Sequence, residues 1–169
     1  MPQPIPLEDI IGFLLDAPMF EHLDEDELSK VVHILEVLRL APGDVLFRAG
    51  DAGDAWYVVY EGHVDVLQPA EEGQKLLTTL GARACFGEMA ILDGAPRSAR
   101  VVARDDSVLL RVPRGPFNDL LRAGDLAAYK LTHRMALILV ARLRELNARH
   151  AISDDAPLLD LTESDTEDD

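Results

Sequence analysis

Residues 86–100 read Phe-Gly-Glu-Met-Ala-Ile-Leu-Asp-Gly-Ala-Pro-Arg-Ser-Ala-Arg. This segment, the cassette, contains the groups needed to hold a small anion that carries a sugar. Gly87 lets the backbone approach a ligand, the following residues can open a short helix with outward N–H groups, and Arg97 adds a permanent cation. Glu88 would repel a phosphate, but a sugar hydroxyl suits a carboxylate that only accepts hydrogen bonds. The pattern therefore indicates a ribose phosphate as ligand.

The cassette resembles the phosphate-binding cassette of cyclic nucleotide-binding domains. The family pattern is Phe-Gly-Glu, an apolar turn, and then Pro-Arg followed by small residues at a fixed separation. The matching positions are Phe86, Gly87, Glu88, Met89, Ala90, Pro96, Arg97, Ser98 and Ala99. The resemblance extends from about Leu14 to about Leu146.

The resemblance implies a role for each residue of this ligand-binding set. It implies that Arg97 pairs with the exocyclic oxygens of a cyclic phosphate, which a planar guanidinium suits better than a lysine does. It implies that Glu88 accepts a hydrogen bond from the ribose 2′-hydroxyl; a first-turn glutamate that stabilises the helix dipole is the alternative. Gly87, Met89 and Ala90 would then supply backbone contacts.

Ser98 bears on which nucleotide is bound. Family members carry alanine, serine or threonine at this position, where threonine accompanies a preference for cGMP and serine is found with cAMP. The resemblance therefore favours cAMP, with cGMP as the other candidate.

The cover of the purine departs from the family pattern. In the family the C-terminal helix covers the base, and the corresponding residues here are Ile138, Arg142 and Leu143, where the bacterial catabolite activator protein uses polar side chains. The two apolar residues could pack on the purine while Arg142 stacks or hydrogen-bonds, or all three could belong to a helix–helix seam.

Composition limits the class of protein. With 169 residues, 48% hydrophobic and 28% charged, the chain suits one globular domain with appendages. Its net charge of −15 disfavours nucleic acid as a partner, because such binding needs lysines and arginines. Cys85 is the only cysteine, which favours a reducing compartment. No export signal or long apolar run occurs, so we predict a cytoplasmic protein without membrane insertion. We also expect neither a metal nor a cofactor.

Local patterns predict helices at both ends and strands between them. Residues 6–15, led by Pro6, and a segment capped by Asp24 with Glu27 three residues later predict two N-terminal helices. Short β-rich runs between glycine turns predict strands at residues 37–40, 45–48, 56–60, 63–67, 76–80, 100–104 and 108–112. Helices are again expected at residues 116–121 and, with Asp125 as the cap, through about His150.

These elements predict an α+β fold with an antiparallel, jelly-roll-like β-roll of about eight strands, flanked by N-terminal helices and a long C-terminal helix. We expect residues 1–36 to pack on the roll, residues 37–150 to form the nucleotide-binding roll with its C-terminal helices, and residues 151–169 to form an acidic, disordered tail. Asp154 to Asp169 include eight acidic and no basic residues. Within them, Leu158 to Leu161 could be a docking motif or part of a solubilising tail.

The sequence argues against an enzyme and leaves two functions open. The five histidines are scattered, and neither a nucleophile elbow nor a P-loop is present. One reading is a cytoplasmic cAMP receptor that relays binding to an unknown protein effector through its C-terminal helix. The other is an interaction module with weak or altered specificity, for cGMP or a cyclic dinucleotide. Residues 136–143 are apolar around most of the helix, which makes a homodimer through this helix our leading expectation.

Overall fold

The chain folds as an antiparallel β-roll with helices before and after it, within the residues 4–154 that the computed structural model describes. The helices are α1 Leu7–Leu15, α2 Glu25–Val32, α3 Glu88–Asp93, α4 Arg114–Arg122 and α5 Leu126–Asp154, with a 3-10 turn at Pro18–Phe20. The strands are β1 Glu36–Leu40, β2 Val45–Phe47, β3 Ala55–Glu61, β4 Val64–Pro69, β5 Gln74–Leu80, β6 Cys85–Phe86, β7 Arg100–Ala103 and β8 Ser107–Pro113. The predicted α+β class with a β-roll of about eight strands is confirmed.

Two four-stranded antiparallel sheets form the roll, with strand orders β1-β8-β3-β6 and β2-β7-β4-β5. The core between them is apolar and includes Tyr57, Phe86 and Leu109. In the first sheet, one row of paired residues runs Glu36, Arg111, Tyr57, Phe86 from β1 to β6. This register aligns Phe86 of the cassette with Arg111, two strands away, and with Glu36, three strands away.

Strand β3 is buried on both faces, which explains its nearly continuous apolar sequence. Because successive side chains point to opposite faces, Tyr57 enters the roll core and Trp56 faces the other way. Trp56 stacks on Phe20 with ring centroids 5.9 Å apart and meets the edge of Phe117 at 6.1 Å. The tryptophan thus joins the N-terminal helical segment and α4 to the sheet.

The predicted helix caps are present. The Asp24 carboxylate accepts a hydrogen bond from the Glu27 N–H at 2.8 Å, and the Glu27 carboxylate accepts one from the Asp24 N–H at 3.2 Å. At the start of α5, Asp125 accepts hydrogen bonds from the Ala127 N–H at 2.9 Å and from Lys30 Nζ at 3.0 Å. The second bond ties α5 to α2.

The sequence patterns missed strand β6. Its two residues, Cys85 and Phe86, pair with Val58 and Tyr57 of β3, but two residues show no alternation. The pairing partner, and not the local sequence, makes this segment a strand.

Residues up to Met135 form one compact unit, and residues from Ala136 onward form a second, which consists of the distal part of α5. In the second unit Leu139, Val140, Leu143 and Leu146 fall on one side of the helix by their spacing, and we call them the distal stripe. Val140 is 46%, Leu143 57% and Leu146 52% exposed.

The predicted division at residues 36 and 150 stays a prediction. The part of the tail from residue 155 onward lies outside the described residues. Between residues 4 and 154, no helix combines the length and apolar character needed to span a membrane.

Replacing Asp125 by alanine should lower the free energy of unfolding at pH 7 by about 1 to 2 kcal/mol, because the N-terminus of α5 loses its cap. Burial raises the pKa of Asp125, but hydrogen bonds from Lys30 and from the Ala128 and Ala127 amides outweigh it, so the pKa lies below its ordinary value of 3.8. A depressed carboxyl pKa stabilises the fold above pH 3.8, and this contribution is lost as the pH falls through the lower, folded-state pKa. Urea unfolding followed across this pH range measures both effects.

Asp119→Ala is the matched control, because Asp119 forms only an exposed pair with Arg122 at 2.9 Å. It should change the free energy of unfolding by less than about 0.5 kcal/mol. An Asp125 variant as stable as this control at neutral pH would contradict the capping role.

Candidate ligand-binding site

The cassette begins with a turn that needs glycine. Strand β6 ends at Phe86, and Gly87 adopts φ +80° before α3 starts at Glu88. A Cβ at Gly87 would lie 2.8 Å from Arg97 Nη1 and 3.4 Å from the Ala55 carbonyl oxygen. Both the conformation and the close approach of Arg97 therefore require glycine.

Arg97 is the buried cation of the cassette. It is 5% exposed, and its Nη2 donates to the Ala55 carbonyl oxygen at 2.6 Å while its Nη1 donates to the Gly87 carbonyl oxygen at 3.3 Å. Nη2 also lies 3.4 Å from Asp54 Oδ1. Backbone carbonyls at the start of β3 and at the cassette turn thus fix the guanidinium.

Aromatic rings form the floor beneath this guanidinium. Its Cζ lies 4.2 Å from the centroid of the Phe47 ring and 5.6 Å from that of Tyr57. The Tyr57 ring stacks on Phe86, with centroids 5.2 Å apart. Burial raises the pKa of Tyr57, which keeps the ring neutral and suited to cation–π contact.

Not every N–H donor of the Arg97 guanidinium is satisfied within the described residues. Arginine has five N–H donors, and within residues 4–154 the buried Nε of Arg97 has no hydrogen-bond partner. A buried donor without a partner costs free energy. An anionic ligand at this position would satisfy it.

The turn at residues 50–53 is hydrogen-bonded to the cassette. The Arg97 N–H donates to the Asp51 carbonyl oxygen and the Gly50 N–H donates to the Arg97 carbonyl oxygen, both at 2.8 Å. A Cβ at Gly53 would overlap the Cβ of Ala90. The turn at residues 50–53 therefore packs directly on the backbone of both ends of the cassette.

A chain of charges extends from the site across the first sheet. Asp54, which lies beside Arg97, accepts a hydrogen bond from Arg111 Nη2 at 2.8 Å, and Arg111 Nη1 donates to Glu36 at 2.6 Å. Burial alone would lower the pKa of Arg111, but its hydrogen bonds with Glu36, Tyr57 and Asp54 raise the pKa above its usual value. Arg111 thus remains charged and shares Asp54 with the cassette arginine.

The structure brings Phe86, Gly87 and Arg97 into direct proximity around Tyr57. Glu88 is 3% exposed at the first residue of α3.

The remaining predicted ligand residues of the cassette differ in exposure. Ala90 is buried, Ala99 is half-buried, and Met89 and Ser98 are exposed. The roles of these residues stay predictions. Ile138, Arg142 and Leu143 belong to the second unit, and their role as a purine cover also stays a prediction.

Sequence reasoning missed the residues that hold Arg97. The sequence patterns place Phe47 and Tyr57 in predicted strands and give neither them nor Asp54 a role beside Arg97. Asp54 could have been suspected, because an acidic residue directly before a buried strand is a candidate partner for a buried arginine. The carbonyl oxygen of Ala55 gives no sequence signal, because every residue has one.

Metal ligation has no structural support in the described part of the chain. Between residues 4 and 154, no group of three or more His, Cys, Asp or Glu side chains could hold a metal ion.

Comparison with known proteins agrees with this geometry. Residues 37–123 match the family described as cyclic nucleotide-binding domain. The chain is 38% identical over 104 residues to a cAMP-dependent protein kinase regulatory subunit of Blastocladiella emersonii. The aligned region covers 61% of this chain and 26% of that subunit.

Two solved structures are also similar. The catabolite activator protein of Thermus thermophilus superimposes with a TM-score of 0.73 at 30% identity, over 82% of this chain and 63% of that one. The regulatory subunit of a cAMP-independent protein kinase A from Trypanosoma brucei gives a TM-score of 0.60 at 29% identity, over 70% of this chain and 46% of that one.

The fold and the cassette are those of a ligand-binding β-roll domain, and the family match covers more than half of the chain. The chain belongs to the cyclic nucleotide-binding domain family. It spans only about a quarter of the kinase regulatory subunit that it matches.

Gly87→Ala should destabilise the protein more than Gly43→Ala. Both glycines have positive φ, at +80° and +88°, but a Cβ at Gly43 meets nothing within 4 Å. Gly43→Ala should therefore cost only the left-handed backbone penalty of about 1 to 2 kcal/mol, while Gly87→Ala should add about 1 to 3 kcal/mol because Arg97 must move.

Urea unfolding followed by the fluorescence of Trp56, the single tryptophan, gives both values. Equal losses of stability in the two variants would mean that Arg97 does not press against Gly87.

Proposed function

We propose that this chain is a cyclic nucleotide receptor that prefers cAMP and acts as a regulatory domain without catalytic activity. The observation that carries the proposal is the buried Arg97 guanidinium, whose Nε has no partner in the described residues and which lies against the Gly87 turn. A cyclic phosphate supplies the anion that this donor lacks, and the membership of the family supports this class of ligand.

Each predicted site residue has a distinct task in this proposal. Arg97 binds the exocyclic oxygens of the phosphate, and Glu88 accepts a hydrogen bond from the ribose 2′-hydroxyl. The backbone at Gly87, Met89 and Ala90 lines the sugar phosphate. Ser98 bonds the phosphate and favours cAMP over cGMP.

The remaining predicted ligand residues are structural or lie in the second unit. Phe86 fixes Tyr57 by stacking, and Ala99 keeps the turn after Arg97 small. Ile138, Arg142 and Leu143 would cover the purine.

The output of the receptor is a change in what α5 contacts. We propose that the receptor works in the cytoplasm and passes its signal to a protein, since a net charge of −15 opposes DNA. The distal stripe is the surface for this contact, because three of its four side chains are about half exposed. A second copy of the chain is the simplest partner, giving a homodimer through α5.

A second candidate function is an interaction module with weak or altered nucleotide specificity. The apolar residues at the proposed purine cover, Ile138 and Leu143, favour it. The similarity to a subunit of a cAMP-independent kinase supports it as well. In this case cGMP or a cyclic dinucleotide, or no nucleotide, would bind.

Titration calorimetry with cAMP, cGMP, 2′-deoxy-cAMP and a cyclic dinucleotide tests both functions. We expect cAMP to bind most tightly and 2′-deoxy-cAMP about tenfold or more weakly, because Glu88 would lose its hydroxyl partner. Arg97→Ala should weaken cAMP binding by about 30-fold to several thousand-fold, which corresponds to about 2 to 5 kcal/mol for one member of a buried charge pair.

Arg104→Ala is the control, since Arg104 lies outside the cassette and pairs with Asp65 at 3.2 Å. Arg97→Lys keeps the charge without the planar fork and should bind at an intermediate affinity. Trp56 fluorescence reports whether each variant is folded. Unchanged affinity in folded Arg97→Ala would remove the phosphate role, and a preference for a cyclic dinucleotide would favour the second function.

Sedimentation equilibrium tests the homodimer. We expect dimers at high micromolar concentration, and Val140→Ser and Leu146→Ser should each raise the dimer dissociation constant about tenfold or more by removing apolar contacts. Ala141→Ser, an exposed change away from the distal stripe, should leave it unchanged. A strictly monomeric chain would exclude self-association as the output.

A further inference from the structure

We propose that the acidic segment after α5 folds back within the same chain and covers the distal stripe with Leu158, Leu159 and Leu161. This interaction goes beyond nucleotide binding and does not depend on it. It makes the tail an internal competitor for the surface that would otherwise contact a second copy.

The distal stripe is an apolar surface that a short segment can cover. Leu139, Leu143 and Leu146 follow the i, i+4, i+7 spacing of one helix face, with Val140 beside them. The exposed fractions of Val140, Leu143 and Leu146 are close to one half. The stripe extends for about two helical turns.

Arginines border the distal stripe on both sides. Arg144 follows Val140 by four residues, and Arg149 follows Leu146 by three, so each neighbours a stripe residue on the helix surface. Arg142 lies between Leu139 and Leu146 at the same spacings. All three arginines are exposed. The surface is therefore apolar in the middle, with three guanidinium groups at its edges and one acidic residue among them, the exposed Glu145.

The segment after α5 has the complementary pattern. Residues 155–169 contain seven acidic and no basic residues, and their leucines lie at positions 158, 159 and 161. Asp155 precedes the leucines, Asp160 lies among them, and Glu163 follows. Apolar side chains flanked by carboxylates suit an apolar stripe flanked by guanidinium groups.

The chain length allows this contact in one molecule. An extended chain covers at most about 3.3 Å per residue and a helix rises 1.5 Å per residue. Counted from Asp154, where α5 ends, Leu158 can therefore reach back about as far as the level of residue 145, and Leu161 about as far as residue 139. These levels match Leu146 and Leu139, the two ends of the distal stripe.

The tail fits this surface better than a second copy does. A second α5 would bring its own Arg144 and Arg149 to the same seam, where like charges repel. The tail brings carboxylates, and its tether gives it an effective concentration on the order of millimolar. A free second copy at micromolar concentration therefore competes at a disadvantage until the tail is displaced.

Hydrogen exchange of the full chain tests the fold-back. We compare the wild type with Leu158→Ser/Leu159→Ser/Leu161→Ser, without nucleotide, at a concentration where sedimentation finds monomers. Amides of residues 139–150 should exchange at least about threefold faster in the leucine variant, because the cover that slows local opening is lost. The matched control Thr162→Ala/Ser164→Ala/Thr166→Ala keeps the leucines and acids and should exchange like the wild type. Equal exchange in the wild type and the leucine variant would overturn the proposal.

Charge reversal tests the polar part of the contact. Arg144→Glu and Asp160→Lys should each speed exchange in residues 139–150, and the double variant should return towards the wild-type rate because the pair is restored with opposite signs. If the effects of the two single variants on the exchange rate simply add in the double variant, Asp160 does not pair with Arg144, and this part of the proposal is overturned.

Sedimentation distinguishes a cover within one chain from an exchange between chains. If the tail competes with a second copy, the leucine variant should dimerise at least about fourfold more tightly than the wild type, as expected when most chains are covered. A leucine variant that loses dimerisation would mean that the tail binds the partner chain, which would overturn the fold-back. Because nucleotide affinity is measured separately by calorimetry, failure of this proposal leaves the receptor proposal standing.

Discussion

The burial of one guanidinium, that of Arg97, constrains the rest of the site. A cation removed from water needs hydrogen bonds and polarisable neighbours, and Arg97 obtains them from the carbonyl oxygens of Ala55 and Gly87 and from the Phe47 ring. Each of these contacts imposes a requirement on its own residue. Gly87 must lack a side chain, and Phe47 must point towards the guanidinium. Within residues 4–154 the compensation is incomplete at Nε, so the fold carries a cost that an anion can relieve.

Strand β3 connects this site to the helical side of the molecule. Asp54 and Ala55 contact Arg97, and the next residue, Trp56, packs between Phe20 and Phe117 on the opposite face. Alternation along the strand places Tyr57, whose ring centroid lies 5.6 Å from Arg97 Cζ, on the face opposite to Trp56. Strand β3 thus contacts the cassette arginine and the helices at the same time, all within the first unit.

Features with local causes could be read from the sequence, and features with distant causes could not. The turn at Gly87, the capping box at Asp24 and the cap at Asp125 depend on residues a few positions apart, so spacing predicts them. Strand β6 and the row from Glu36 to Phe86 depend on strand pairing between distant segments. The family pattern points to Arg97 and the cassette, but the supports of Arg97 are two backbone carbonyls and the aromatic rings of Phe47 and Tyr57 from strands β2 and β3.

The overall acidity of the chain and the single buried cation act over different distances. Charges in water are screened beyond about 8 Å at physiological salt, so the net charge of −15 governs the approach of ligands more than their retention. Arg97 is 5% exposed and acts at hydrogen-bond distance, where screening is weak. An acidic protein can therefore retain an anion through one desolvated arginine, although its long-range repulsion slows the approach of every anion. The arginines bordering the distal stripe are exposed instead, so whatever they bind must combine charge with apolar contact to be held at physiological salt.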